Sequence, residues 1–134
     1  MFGTAGHADA GSLVNNLIHL RRGMNIVLAP GEILIKEGLA NLQRGIETVG
    51  GRLFLTDSRL VFCSHLLNVQ CGTTYIPLTE VRSVQPCWTK FLGIFPIMPN
   101  SLAIHIDGAE YRFVLFARKR WVQAIRSCAP EIDI

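Results

Sequence analysis

The segment Gly50–Phe62, with the sequence GGRLFLTDSRLVF, is the strongest indication of the fold in this chain. It contains two short runs in which apolar residues alternate, which is the period of a β-strand with one buried face. A polar turn, Thr56–Arg59, joins the runs, and the paired glycines Gly50 and Gly51 allow a bend or a close backbone approach. The alternating apolar residues are Leu53, Leu55, Leu60 and Phe62. We therefore predict a tight antiparallel hairpin.

The same strand pattern recurs along the chain after Pro30. Short runs of β-branched and aromatic residues each end at Gly, Pro, Asn or Asp, which is typical of strands joined by turns. Asp107 and Gly108 form a strong hairpin signal because both residues tolerate positive φ. Strands are predicted at Ile33–Leu42, Gly50–Leu55, Arg59–Ser64, Cys71–Ile76, Val81–Cys87, Leu102–Ile106 and Tyr111–Phe116. The predicted fold is therefore mainly β, a seven-stranded bent antiparallel sheet or partly open barrel.

A C-terminal helix is predicted from Lys119 to Cys128. Its apolar residues follow the i, i+3, i+4, i+7 spacing of one helical face, and Pro130 ends it. These residues are Trp121, Ala124, Ile125 and Cys128. A helix that carries a large Trp is a suitable plug for the open end of a bent sheet.

A short N-terminal helix is predicted to begin at Ser12 and to end at Gly23. Its apolar residues, on one face, are Leu13, Val14, Leu17 and Ile18. The favoured interpretation is that this helix covers an apolar rim of its own domain, and the alternative is that it lies on a membrane.

Composition limits the function classes. The chain has 134 residues, 49% of them hydrophobic, which suits one domain with one core. A charged fraction of 17% and a net charge of +3 fall short of the dense basic stripe of nucleic-acid binders. The N-terminal residues lack the basic and apolar regions of a signal peptide, so we expect a cytoplasmic protein. A disulfide between Cys63 and Cys71 is the less favoured alternative in that compartment.

Beyond the hairpin signature, three further stretches carry a family resemblance: PGEILIKEGLANLQRG, IPLTEVRSV and SLAIHIDGAEYRFVLFARKRWVQAI. Together they resemble a GRAM domain of the pleckstrin-homology-like superfamily, over about Leu28 to Arg126. The resemblance implies two nearly orthogonal sheets closed by the C-terminal helix. It also implies a non-catalytic module that binds membrane lipids, often anionic lipids or phosphoinositides, or binds proteins. We expect residues 1–27 to be an extension, 28–128 the domain and 129–134 a short tail.

Catalytic signatures are missing from the sequence. None of the four cysteines begins a Cys-x5-Arg loop, and the four histidines are isolated from one another. Cys63, His65 and Cys71 could meet at a hairpin end, but a structural zinc needs four ligands. We therefore expect no enzymatic activity, no cofactor and no metal.

The resemblance directs attention to basic residues near the first two strands. The chain offers Lys36, Arg44 and Arg52 there, diluted by acidic neighbours. Each such residue contributes on the order of 1 kcal/mol at an anionic membrane surface, so their attraction alone is weak.

The segment KFLGIFPIMPNSL, Lys90–Leu102, is the second candidate contact. Burying one large apolar side chain is worth roughly 1.5–3 kcal/mol, so an exposed apolar loop would outweigh the charges. Three interpretations remain open: the loop enters a membrane, contacts a protein partner or a second copy of the chain, or packs over the barrel mouth. The candidate residues for lipid or partner binding are Trp88, Lys90, Phe91, Leu92, Ile94 and Phe95, with the three basic residues above.

Overall fold

The computed structural model describes residues 26–64, 73–91 and 95–134, and the side chains of 88–99 are outside that description. The predicted N-terminal helix, the loop residues Leu92 and Ile94, and His65 and Cys71 lie outside the described residues. Of the predicted strand Cys71–Ile76, the part from Thr73 onward is described.

Seven strands form one antiparallel sheet, and the predicted fold class is confirmed. The strands are β1 (Leu34–Arg44), β2 (Glu47–Thr56), β3 (Arg59–Ser64), β4 (Thr73–Pro77), β5 (Ser83–Phe91), β6 (Phe95–Ile106) and β7 (Ala109–Leu115), followed by helix α1 (Arg118–Cys128). Their order in the sheet is β4-β3-β2-β1-β7-β6-β5. The sheet is open, with β4 and β5 at its edges. A short 3-10 turn, Leu78–Glu80, connects β4 to β5.

The main core lies between the inner face of the sheet and α1. The alternating residues of the β2–β3 hairpin are buried as predicted, and the rings of Phe62 and Phe113 lie 5.6 Å apart. Trp121 and Ile125 bury the apolar face of α1 against the sheet. The C-terminal residues Ala129 and Ile132 also join this core. The helix therefore closes the sheet as the Trp121 spacing predicts.

A second, smaller core covers the outer face of the β2–β3 hairpin. Ile26 and Leu28 pack there on Phe54, Val61 and Cys63. Both faces of this hairpin are therefore buried, whereas the alternation alone predicts one. The signal is the unbroken apolar run in each strand, since strands buried on both faces read as continuous rather than alternating.

Gly51 marks a close approach between β2 and β3. A Cβ added at this position would lie 2.2 Å from the carbonyl oxygen of Cys63 and 2.7 Å from Cζ of Phe62. No side chain fits at these distances, so the predicted close backbone approach is confirmed at Gly51.

Glu32 fixes the segment before β1 to the β2–β3 turn. Its carboxylate accepts hydrogen bonds from Arg59 Nε at 2.8 Å, from Thr56 Oγ1 at 2.6 Å and from the Ala29 amide at 2.8 Å. Burial alone would raise the pKa of Glu32, but these hydrogen bonds and the Arg59 charge offset that effect and lower the pKa to about 2. Arg59 Nη2 also donates to the carbonyl of Val27 at 2.8 Å, which holds the segment over the outer core.

Candidate functional site

The described part of the apolar segment forms a two-stranded ribbon, the hairpin arm (residues 88–91 and 95–99). Its ladder continues to Phe91 opposite Phe95, whereas the ladder between β6 and β7 ends at Ser101 opposite Val114. Six residues of β6 precede Ser101, so the ribbon reaches about 20 Å beyond that residue pair at about 3.3 Å per residue. The arm therefore continues past the last residue pair that joins β6 to the rest of the sheet.

The sequence prediction placed a loop where much of the arm is strand. Pro96 and Pro99 are the reason for the difference, because proline removes a ladder donor and suggests a break. The ladder tolerates them with register shifts between Cys87 and Thr89 and between Thr89 and Lys90. Irregular pairing of this kind is where proline is found in sheets.

Arg118 ties the start of α1 to the base of the arm. Its Nη1 donates to the carbonyl oxygens of Cys87 at 2.9 Å and Ser101 at 3.3 Å. Lys119 and Arg120 follow on the exposed side of the helix start. Of the three consecutive cations Arg118, Lys119 and Arg120, the first is therefore held by backbone carbonyls and the other two are exposed to solvent. Sequence reasoning missed this contact because it joins residues 17 and 31 positions apart.

The three predicted basic residues occupy three different environments. Lys36 Nζ lies 5.2 Å from the centroid of the Trp121 ring, and Arg52 Nη1 lies 3.2 Å from the carboxylate of Glu37. Arg44 is exposed at the end of β1. The structure therefore does not bring them together in one basic cluster. Whether any of them contacts lipid stays a prediction.

Arg44 instead lines a cavity with β7, the turn pocket, of about 440 Å³. Arg112 also lines it and stands opposite Gln43 in the β1–β7 ladder. The other lining residues are Leu42, Gln43, Gly45, Glu110 and Tyr111. Arg112 Nη2 lies 3.5 Å from Glu110 Oε1, so one carboxylate already offsets part of the positive charge.

The turn pocket and the arm tip are separate features. Ala103 of β6 pairs with Arg112, and Phe95 precedes Ala103 by eight residues in β6. Eight residues of extended strand span about 26 Å. Arg44 and Phe95 therefore belong to two distinct candidate surfaces.

Within the described residues, no group of three or more His, Cys, Asp or Glu side chains is arranged to hold a metal ion. Burial raises the pKa of the Cys63 thiol, and a hydrogen bond with Thr73 opposes that effect. A raised pKa disfavours the thiolate, which is the nucleophilic form. The predicted set of Cys63, His65 and Cys71 lies partly outside the described residues.

Among the helices of the described part of the chain, none combines the length and apolarity that crossing a bilayer requires.

Comparisons with known proteins place this fold in a family. The GRAM domain family model matches residues 19–121. No curated protein in the comparison matches the chain.

Solved structures resemble the fold at low sequence identity. The N-terminal PH domain of Vps36 aligns with a TM-score of 0.59 at 16% identity, covering 83% of this chain and 92% of that one. The C-terminal domain of an unknown protein from Leishmania infantum aligns at 0.58 and 20% identity, covering 73% and 84%. A linker-DH/PH fragment of p115-RhoGEF aligns at 0.60 and 15% identity, covering 95% of this chain and 42% of that fragment. The chain therefore belongs to the GRAM domain family and has a PH-like fold, typical of modules that bind lipids or proteins.

Proposed function

We propose that this domain is a peripheral lipid-binding module whose hairpin arm enters the interface of a membrane at its cytoplasmic face. The observation that carries the proposal is the arm itself, a ribbon that continues about 20 Å past the β6–β7 ladder. Its sequence supplies the large apolar residues Phe91, Leu92, Ile94, Phe95, Ile97 and Met98. A ribbon of this composition matches the acyl boundary better than it matches water.

Energetics favour apolar insertion over charge attraction. Each large apolar side chain contributes roughly 1.5–3 kcal/mol when buried, against about 1 kcal/mol for each Lys or Arg near an anionic surface. Lys90 in the arm and the exposed Lys119 and Arg120 at the start of α1 can supply that weaker attraction. Trp88 has the residue type that concentrates at membrane interfaces. We therefore expect binding to neutral vesicles that anionic lipid strengthens modestly.

The basic residues in the first two strands have a smaller part in this proposal. Lys36 is stacked on Trp121 and Arg52 is paired with Glu37, so a headgroup would have to displace those contacts. Arg44, in the turn pocket, keeps an exposed guanidinium. Of the three, Arg44 is the one we expect to contribute to attraction by anionic lipid.

Vesicle sedimentation tests the proposal directly. The full chain is mixed with phosphatidylcholine vesicles, with and without phosphatidylserine, and compared with the variant Phe91→Asp plus Phe95→Asp. Removing two rings that enter the membrane should weaken partitioning of the protein from water into vesicles by about 100-fold or more, since burying each ring contributes roughly 1.5–3 kcal/mol. The matched control is Tyr75→Asp, which changes an aromatic residue of edge strand β4 that is 59% exposed. The control should sediment like the parent.

The alternative is a protein-interaction or homo-oligomerisation module that uses the same arm. It is favoured by the position of β5 at an edge of the sheet, because edge strands accept further strands. A parent that ignores all vesicles, together with a dimer that the double variant loses in light scattering, would establish this alternative. A double variant that unfolds in circular dichroism would show that the arm is packing, and would remove the basis of both functions.

A further inference from the structure

A shallow groove of about 230 Å³ lies where β1 meets β7. Leu39, Val114 and Phe116 supply its apolar lining, with Asn41 and Asn100 beside them. Phe116 is 78% exposed and Leu39 is 49% exposed. Two adjacent exposed apolar side chains in a groove make this surface a candidate contact site.

We propose that the occupant of this groove is the N-terminal segment of the same chain, residues 12–22. In this arrangement the segment forms the amphipathic helix that its spacing predicts. Its apolar residues Leu13, Val14, Leu17 and Ile18 then face the groove. The proposal does not depend on lipid binding by the hairpin arm.

The path of the chain carries the proposal. Ile26 is 4% exposed and packs with Leu28 on Phe54 and Val61, so the chain already runs over the outer face of the sheet when it enters the described residues. In the β1–β2 ladder Phe54 is paired with Glu37. Leu39 follows Glu37 by two residues and therefore lies on the same face of the sheet. One strand spacing and two residues of strand separate Phe54 from Leu39 by about 8 Å. The near rim of the groove therefore lies close to the point where residue 26 is anchored.

The length of the connection agrees with this path. Three residues, Gly23, Met24 and Asn25, separate Arg22 from Ile26. Four Cα steps of at most about 3.6 Å span up to about 14 Å, which exceeds the roughly 8 Å between Phe54, on which Ile26 packs, and Leu39 at the near rim. An eleven-residue helix is about 16 Å long, enough to cross both strands that line the groove.

The short connection also favours the chain's own segment over a free partner. A flexible linker of a few residues gives a tethered segment an effective concentration on the order of millimolar. A separate peptide, a lipid or a second copy would have to exceed that concentration or bind more tightly. Docking within the chain is therefore the occupancy that the geometry favours most.

Hydrogen–deuterium exchange on the full chain tests the proposal. We expect the amides of residues 13–18 to exchange about tenfold or more slowly than those of a free peptide of the same sequence. The groove variant Leu39→Ser plus Phe116→Ser should abolish that protection. Leu39 is half exposed and Phe116 is mostly exposed, so we expect the variant to keep the fold. Unchanged protection of the β2–β3 amides from exchange is the measurement that checks this.

The control variant Ile33→Ser plus Tyr75→Ser removes two residues that are each 59% exposed and do not line the groove. It should leave the protection of residues 13–18 intact. Equal exchange of these amides in the parent and the free peptide, or equal protection in both variants, would overturn the proposal. Protection that rises with protein concentration would assign the groove to a second copy, and protection that requires phosphatidylcholine vesicles would assign it to lipid. Either outcome would also overturn the proposal.

Discussion

Replacing Gly51 by alanine should destabilise the domain through a backbone clash between β2 and β3. The new Cβ would lie 2.2 Å from the carbonyl oxygen of Cys63 and 3.0 Å from the carbonyl carbon. Both are backbone atoms of the neighbouring strand, so no change of rotamer can relieve the contact. The two strands have to separate locally, in the part of the sheet where both faces are packed.

The size of the effect follows from overpacking. Inserting a methylene group into a tightly packed site costs about 1–3 kcal/mol, and a backbone contact belongs at the upper end of that range. For 134 residues the entropy of unfolding is about 0.28 kcal/mol/K, so 3 kcal/mol corresponds to about 10 °C in melting temperature. Domains of this size have a free energy of unfolding of about 5–15 kcal/mol, so the variant should still fold.

Gly38→Ala is the matched control on the neighbouring strand. Its Cβ would lie 3.5 Å from Cζ2 of Trp121, an ordinary van der Waals distance. Replacing glycine where the conformation permits stabilises a protein by about 0.4–1 kcal/mol through the unfolded state. We therefore expect a melting temperature equal to that of the parent or up to about 4 °C higher.

Thermal melting by circular dichroism measures both variants, and a third variant locates the contact. Phe62→Leu removes the ring whose Cζ would lie 2.7 Å from the new Cβ, but leaves the Cys63 carbonyl in place. Most of the cost of Gly51→Ala should therefore persist in the Phe62→Leu background. Equal melting temperatures for Gly51→Ala and Gly38→Ala would refute the close approach of β2 to β3 at Gly51. Full recovery of the melting temperature by Phe62→Leu would show that the destabilising contact is with the Phe62 ring and not with the Cys63 carbonyl.

Two further predictions concern the contacts around the first strand. Glu32→Gln should lower the free energy of unfolding near pH 7 by about 1–3 kcal/mol in urea titrations, because hydrogen bonds to a charged carboxylate are lost. The pKa of Glu32 is about 2 in the folded state against an ordinary 4.5. Its contribution is therefore complete above about pH 5 and fades as the pH falls toward 2, so the gap between parent and variant should close over that range; a gap independent of pH would contradict the ion pair with Arg59. Trp121→Ala should lower the free energy of unfolding by about 3–5 kcal/mol, because a buried ring is lost from the core. Lys36→Gln should lower it by about 0.5–1 kcal/mol in the parent and leave it unchanged in the Trp121→Ala background. A double-mutant cycle measures this difference.

The fold was predictable because its signals are local. Alternation fixed the inner face of β2 and β3, the Asp107–Gly108 pair fixed the β6–β7 turn, and the helical spacing around Trp121 fixed the plug. Each of these patterns is complete within about ten residues, so no distant contact is needed to interpret it. The arm departs from this rule because its prolines resemble a break, while pairing with β5 keeps β6 extended.

The candidate site was less predictable because its residues acquire their environments from distant partners. Lys36 is an available cation in the sequence, but its partner Trp121 lies 85 positions later and forms part of the core. Arg118 appears as one of three equivalent charges until β5 and β6 place two carbonyl oxygens beside it. Residue type therefore predicted which side chains could bind, and the fold determined which of them are already engaged.

The same division between covered and uncovered sheet explains where binding should occur. Helix α1 covers the inner face, and the segment around Ile26 covers the outer face of β2 and β3. Two exposed apolar side chains that line the groove between β1 and β7, Leu39 and Phe116, lie beyond that outer cover. We therefore expect a membrane or partner to meet the domain on the hairpin arm, whereas the groove beside β7 takes the chain's own N-terminal segment.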